Sequence, residues 1–221
     1  MTEFAGSVSY ENKYELKNWQ LYLFITVLYL IITLVNDKFV LTKGVISLLL
    51  ADKIESNRID DYYELLKRFS VYTYIALPII VFIKMLFIAL LIQTPLLLKG
   101  IEIKFKETFR IAAFANIPYL LLGFIKLIIL FFTPQSHYSN ELLNNIPGSL
   151  TNFLSRDSYT PVAFNFLNSI NIYEFIWIFV IAYGLMKHKK LNKIDSFIFA
   201  FGLWIGITLF QSALIFYFNK A

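Results

Sequence analysis

The chain has 221 residues, is 58% hydrophobic and 18% aromatic, contains no cysteine and carries a formal net charge of +5. An ordinary soluble domain is about 45–50% apolar; here the excess lies in long blocks, so lipid is the expected solvent, and the missing cysteine excludes disulfides, thiol catalysis and thiolate metal sites. The blocks do not alternate as the strands of a membrane barrel would, and the basic excess points to cytoplasmic loops rather than to nucleic acid.

Residues 1–18 form a polar arm with mixed charge (Glu3, Glu11, Lys13, Glu15 and Lys17). No small-residue cleavage site follows the first apolar block, so no cleavable signal is expected. The rest, 19–221, reads as a single multi-pass membrane domain. Crossing a hydrocarbon layer of about 30 Å takes about 20 mainly apolar residues as a helix. Residues 19–35 are uncharged and make the first expected span, ended by Asn36, Asp37 and Lys38. Residues 39–51 are apolar but short. Ile59, Tyr62, Tyr63, Leu66 and Phe69 then recur at helical spacing between charged residues, which predicts an amphipathic helix lying on lipid or docked on the bundle's end. Residues 69–98 read as one tilted second span, bent near Pro78 and finished by Pro95.

A basic connector, 99–110, leads into the third span at 111–132. Residues 133–160, with Pro134 and Pro147, form an exposed loop with a short helix near residues 150–154. The fourth span is 167–186, entered through Glu174 and Trp177, and the fifth is 197–218. The fold class is therefore an all-α integral membrane protein, a bundle of five transmembrane helices plus an interfacial amphipathic helix.

Lys and Arg in short loops set the orientation. Residues 99–110 hold four, residues 187–193 hold four, and residues 133–160 hold only Arg156. Both basic turns belong in the cytoplasm, which with five spans puts the N-terminus inside as well. One segment pulls the other way: residues 36–68 would lie outside although they hold six Lys or Arg beside six Asp or Glu. A re-entrant hairpin at 69–98 would keep that segment inside; length favours five true spans.

Four intramembrane polar residues are the candidate sites. Lys84 is costly near the middle of its span, about 2.5–3.5 kcal/mol on insertion scales; it lines a polar cavity for a lipid or anion, or it pairs with a neighbour. Lys126 and Glu174 are expected at similar depth, where an ion pair serves as a structural brace. Asn116 stands beside the helix-breaking Pro118, as a kink satisfied by a neighbouring helix or as part of a substrate site. Gly202 and Gly206 form a small-xxx-small helix-packing pattern, for another helix of the chain or for a second copy. His137 and His188 are scattered, and no phosphate loop, nucleophile elbow or zinc helix motif is present. No catalytic residue, cofactor site or metal site is assigned, and the chain is not expected to be an enzyme.

Phe105, Lys106, Glu107, Thr108, Phe109 and Arg110, the small-residue patch Ala112, Ala113 and Ala115, and then Ile117, Pro118, Tyr119, Leu120 and Leu121 resemble the Yip-type domain family. So do Ile172, Phe175, Ile176, Trp177 and Gly184 at the entry to the fourth span. The resemblance covers roughly residues 69–218 and implies five membrane helices with a cytoplasmic N-terminus. Eukaryotic members act in vesicle traffic and bind small GTPases and one another; bacterial members largely lack an assigned activity. This chain has no long Pro/Gly-rich N-terminal region and carries the extra segment 39–68, which argues against a GTPase role. Its Lys, Asn, Ile and Phe richness suggests a bacterial inner-membrane protein from an AT-rich genome.

Two functions follow. One is a non-enzymatic scaffold or accessory protein whose partners are the lipid bilayer and other membrane proteins, or itself. The alternative is a small permease or lipid-handling protein with a polar cavity near Lys84 and Asn116.

Overall fold

Every long apolar block is a helix, because a backbone outside water has to satisfy its N–H and C=O groups within its own segment. The computed structural model describes residues 16–50, 55, 58–154, 159–187 and 191–218. The helices are α1 (Asn18–Val35), prolonged by a π-helical turn at Asn36–Val40, then α2 (Lys43–Leu50), α3 (Ile59–Leu98), α4 (Phe105–Phe114), α5 (Ile117–Phe132), α6 (Asn140–Asn144), α7 (Pro161–Asn168), α8 (Ile172–Lys187) and α9 (Lys193–Phe218). No strand occurs among the described residues; a lone bridge joins Ser149 to Asn171. Most of the arm at 1–18 lies outside the described residues, as do Arg156, His188, Lys189 and Lys190.

Four segments are apolar and long enough to cross a membrane: Asn18–Val40, Ile59–Leu98, Phe105–Phe132 and Lys193–Phe218. Their surfaces invert the soluble pattern. Phe24, Ile75, Ile79, Phe131 and Ile198 are exposed, whereas Thr26, Thr108, Asn116, Ser196 and Thr208 are buried. A water-soluble monomer does not expose large apolar side chains on every long helix while sending its polar ones inward.

The elements differ from expectation at three places. The amphipathic stretch around Tyr62 and Phe69 is no separate helix: it forms the first turns of α3, which is one unbroken helix through Pro78 and Pro95. At about 1.5 Å per residue α3 is about 60 Å long, twice the hydrocarbon thickness, and its continuity removes the re-entrant hairpin. The third span is broken at Ala115 and Asn116, so that Pro118 sits in the first turn of a new helix, where a missing N–H does no harm. The expected fourth span, 167–186, is not among the four long segments: Ser169, Ile170 and Asn171 separate α7 from α8, which leaves α8 only 16 residues.

The ends of the bundle are set by a few contacts. Asn18 Nδ2 donates to the Lys106 carbonyl (2.7 Å) and Gln93 Nε2 to the Ile103 carbonyl (3.2 Å). Lys99, Ile101, Leu191 and Asp195 line one cavity. The start of α1 and both basic turns therefore share one end, called here the basic end. At the other end Val40, Val45, Leu130 and Tyr138 form a small separate core, Lys43 pairs with Asp60 (2.9 Å), and Tyr74 donates to Asp37 (2.5 Å). The segment 36–68, where described, thus lies opposite the basic turns.

The main core holds α3, α4, α8 and α9 together through Met85, Ile92, Leu96, Ala112, Ile181 and Ala200. Small residues allow the closest crossings. A Cβ on Gly184 of α8 would stand 2.7 Å from Ile111 Cγ1 of α4, and one on Gly123 of α5 would stand 3.1 Å from Ile32 Cδ1 of α1. Gly100, at φ +73°, ends α3: its N–H bonds to Leu97 and that of Ile101 to Leu96, the Schellman pattern that requires a left-handed residue.

Candidate functional site

Four helices bring a polar layer together in the middle of the bundle. Counting from the basic end at about 1.5 Å per residue, Lys84 on α3, Tyr119 on α5 and Glu174 on α8 each lie about 20 Å in. The Lys84 Nζ sits 4.1 Å from the centroid of the Tyr119 ring, well inside cation–π range. The Tyr119 hydroxyl faces both Glu174 carboxylate oxygens at 3.1 Å. Lys84 and Glu174 interact through their charges, with the tyrosine between them. Tyr29 of α1 stands close enough to Tyr119 for the two to interact electrostatically.

Local sequence explains the placement. In a regular helix the Asn116 N–H would bond to the Ala112 carbonyl. Here it bonds to Ala113 (3.0 Å), and the Asn116 side-chain Nδ2 takes the Ala112 carbonyl instead (2.8 Å). Asn116 thus closes α4 and lets α5 restart with Tyr119 in its first turn. Asn171 does the same service for α8: its Oδ1 accepts from the N–H groups of Tyr173 and Glu174, each at 3.0 Å. Glu174 falls in the first turn of α8, where the helix dipole favours an anion.

A second polar layer lies one turn toward the basic end. Thr26, Asn116 and Trp177 stand three residues from Tyr29, Tyr119 and Glu174, which puts each on the same face as its neighbour. All three are buried, and Thr26 Oγ1, Asn116 Oδ1 and Trp177 Nε1, with Tyr29 Oη, have no hydrogen-bond partner. Buried polar atoms are ordinarily satisfied, so this cluster stands out from the rest of the core.

The expected Lys126–Glu174 pair does not form. Lys126 lies seven residues beyond Tyr119 on α5, about 10 Å farther from the basic end. It lines a small cavity of about 380 Å³ with Thr33, Asn36 and Gly123, and no described carboxylate lies within 4.0 Å of it. Glu174 takes Tyr119 and Lys84 instead, because α8 is short and starts at mid-depth. Tyr119, Tyr29, Thr26 and Trp177 were not singled out as site residues from the sequence. The pattern that could have revealed Tyr119 is its position three residues after Asn116, on the same helical face.

The other candidates lie elsewhere. Gly202 and Gly206 line a groove of about 1,150 Å³ between α3 and α9. A Cβ added to either meets nothing within 4 Å, so no described helix packs on them. Neither this groove nor the smaller cavity is lined by Lys84 or Asn116. Among the described residues no three His, Asp or Glu gather so as to hold a metal ion. Chemically the central layer is a brace: an ammonium, a ring face, a phenol and a carboxylate that satisfy one another in a low-dielectric setting.

Compared with protein-family models, curated proteins and solved structures, the chain finds no match.

Proposed function

We propose that the chain is a non-enzymatic, five-span integral membrane scaffold or accessory protein of the bacterial inner membrane, akin to Yip-type domain proteins, that works by binding partners sideways within the bilayer. The observation that carries this reading is the α3–α9 groove, which faces outward and is bare over Gly202 and Gly206. Close helix approach is what small-residue surfaces provide in lipid, and no described helix uses this one. The broken pair α7–α8 serves as the fifth crossing beside the four long segments. The exposed Leu65, Leu66 and Phe69 on the first turns of α3 extend the apolar surface past the bundle and supply the interfacial face. The shared end of the two basic turns and the start of α1 supports a cytoplasmic N-terminus.

The test uses a photo-crosslinking residue at Gly206 and, as a control, at the lipid-facing Ile79, in native membrane. A discrete adduct at Gly206 and diffuse labelling at Ile79 is the expected result; the same diffuse labelling at both overturns the proposal. A second reading, a permease working through Lys84 and Asn116, is favoured by the orphaned polar atoms between the two helix breaks, a feature shared with discontinuous helices at transport sites. It requires that water-borne maleimide reach an Asn116→Cys variant.

A further inference from the structure

We infer that the α3–α9 groove binds a phospholipid with a primary-amine headgroup, its phosphate against Lys99, its ammonium against Asp195, and an acyl chain along Gly202 and Gly206. This rests on the sideways-binding reading above and names its partner. The groove is lined mainly by Leu, Ile and Phe, but its mouth at the basic end carries one cation and one anion, Lys99 and Asp195. Both are exposed, and neither is within 4.0 Å of an oppositely charged described group, each other included. They come from different helices, Lys99 from the end of α3 and Asp195 from the first turn of α9. Two opposite charges with no described ion-pair partner, at one groove mouth, complement a dipolar headgroup better than an anionic one, which would meet Asp195, or a neutral helix, which would leave both charges unanswered.

The depth fits as well. From Asp195 to Leu214 the groove follows α9 for about 28 Å, so an acyl chain anchored at the basic end fits within it along one leaflet of a core about 30 Å thick. Bare glycine backbone gives an acyl chain a smooth wall over that length.

The experiment compares purified full-length protein in micelles supplied with phosphatidylethanolamine, phosphatidylcholine or phosphatidylglycerol of the same acyl chains, with retained lipid counted by native mass spectrometry. Phosphatidylethanolamine is expected to be retained over each of the others by about fivefold, the ratio an exposed ion pair supports. Asp195→Asn should erase the preference over phosphatidylcholine while chain binding persists. Lys99→Gln should weaken retention of all three, with Lys99→Arg restoring it. Gly206→Leu, whose side chain enters open groove, should displace the lipid with the melting temperature unchanged. Equal retention of the three lipids, or full retention by a folded Gly206→Leu variant, overturns the inference. A protein adduct at Gly206 in place of lipid overturns it while leaving sideways binding intact; diffuse labelling there overturns both.

Discussion

Removing one oxygen atom tests the central layer. Tyr119→Phe deletes the hydroxyl that faces Glu174 at 3.1 Å but keeps the ring 4.1 Å beneath Lys84. A hydrogen bond to a charged partner contributes about 1.5–3 kcal/mol, and the phenol has one proton to give, so a loss within that range is expected. Lys84→Met goes further, because it leaves Glu174 without its counter-charge; breaking a buried pair from one side costs about 3–5 kcal/mol, and the half-buried positions of both groups set the low end, about 3 kcal/mol. Glu174→Gln should cost a similar amount, and Lys84→Met with Glu174→Gln should cost clearly less than the two separately. Lys126→Met is the control, with no described carboxylate within 4.0 Å and an expected change within about 0.5 kcal/mol. The assay is equilibrium unfolding in mixed micelles, followed by tryptophan fluorescence, with Trp177 one turn from Glu174 as the local reporter. Neutral Tyr119→Phe, together with a Lys126→Met loss equal to that of Glu174→Gln, would refute the brace and restore the pair expected from sequence.

Three further outcomes follow. Gly184→Ala drives a methyl to 2.7 Å from Ile111 Cγ1, so overpacking should lower stability by about 1–3 kcal/mol, and the same change should cost far less in an Ile111→Ala background, which lacks the side-chain atoms the methyl meets; a neutral single variant in micelle unfolding would show that α4 and α8 are not held so close. Tyr138 is buried in the small far-end core, donates to the Leu130 carbonyl at 2.5 Å, and burial holds its phenol above the usual tyrosine range. Because the folded loop favours the protonated phenol, its contribution is intact below about pH 10 and is lost as pH rises through the raised value; Tyr138→Phe should abolish this alkaline loosening, read by hydrogen exchange across residues 133–145. In intact cells an impermeant maleimide should label Lys43→Cys and leave Lys104→Cys and Lys193→Cys untouched until the membrane is opened, and labelling of Lys104 and Lys193 from opposite sides would break the arrangement of the bundle.

Much of the helical plan was legible because lipid imposes a length and a composition that a sequence displays directly. The block at 19–35 became α1, that at 69–98 lies inside α3, and that at 197–218 inside α9. Breaks were harder to read. Pro78 and Pro118 carry the same local signal, yet α3 runs through the first while the chain restarts at the second. The difference lies in side-chain context: before Pro118 the Asn116 amide takes the Ala112 carbonyl in place of the backbone donor. Depth was the other loss. Placing Glu174 beside Lys126 assumed a full-length fourth span, whereas the Asn171 cap starts α8 late and moves Glu174 inward to Tyr119. The orphaned Thr26, Asn116 and Trp177 become a group only when three helices are set side by side.

The two helix breaks and the charged layer are one feature. Helix α8 has 16 residues, about 24 Å at 1.5 Å per residue, short of a hydrocarbon core of about 30 Å. Its first turn, with Glu174, therefore cannot reach the far surface if its last turn reaches the basic end. The missing depth is filled by polar groups that bond among themselves: Thr151 donates to Asn168 (2.9 Å), Ser149 pairs with Thr151 (2.5 Å), and Asn171 caps the helix. An unpaired carboxylate at such a depth would be expensive, and so would Lys84 alone. Brought together around Tyr119 the two offset each other, and the break that lets α5 begin at Asn116 is what presents that ring at the right depth. The sequence tolerates a lysine and a glutamate in its interior because two interrupted helices bring the glutamate and a phenol to the level at which the unbroken α3 presents the lysine.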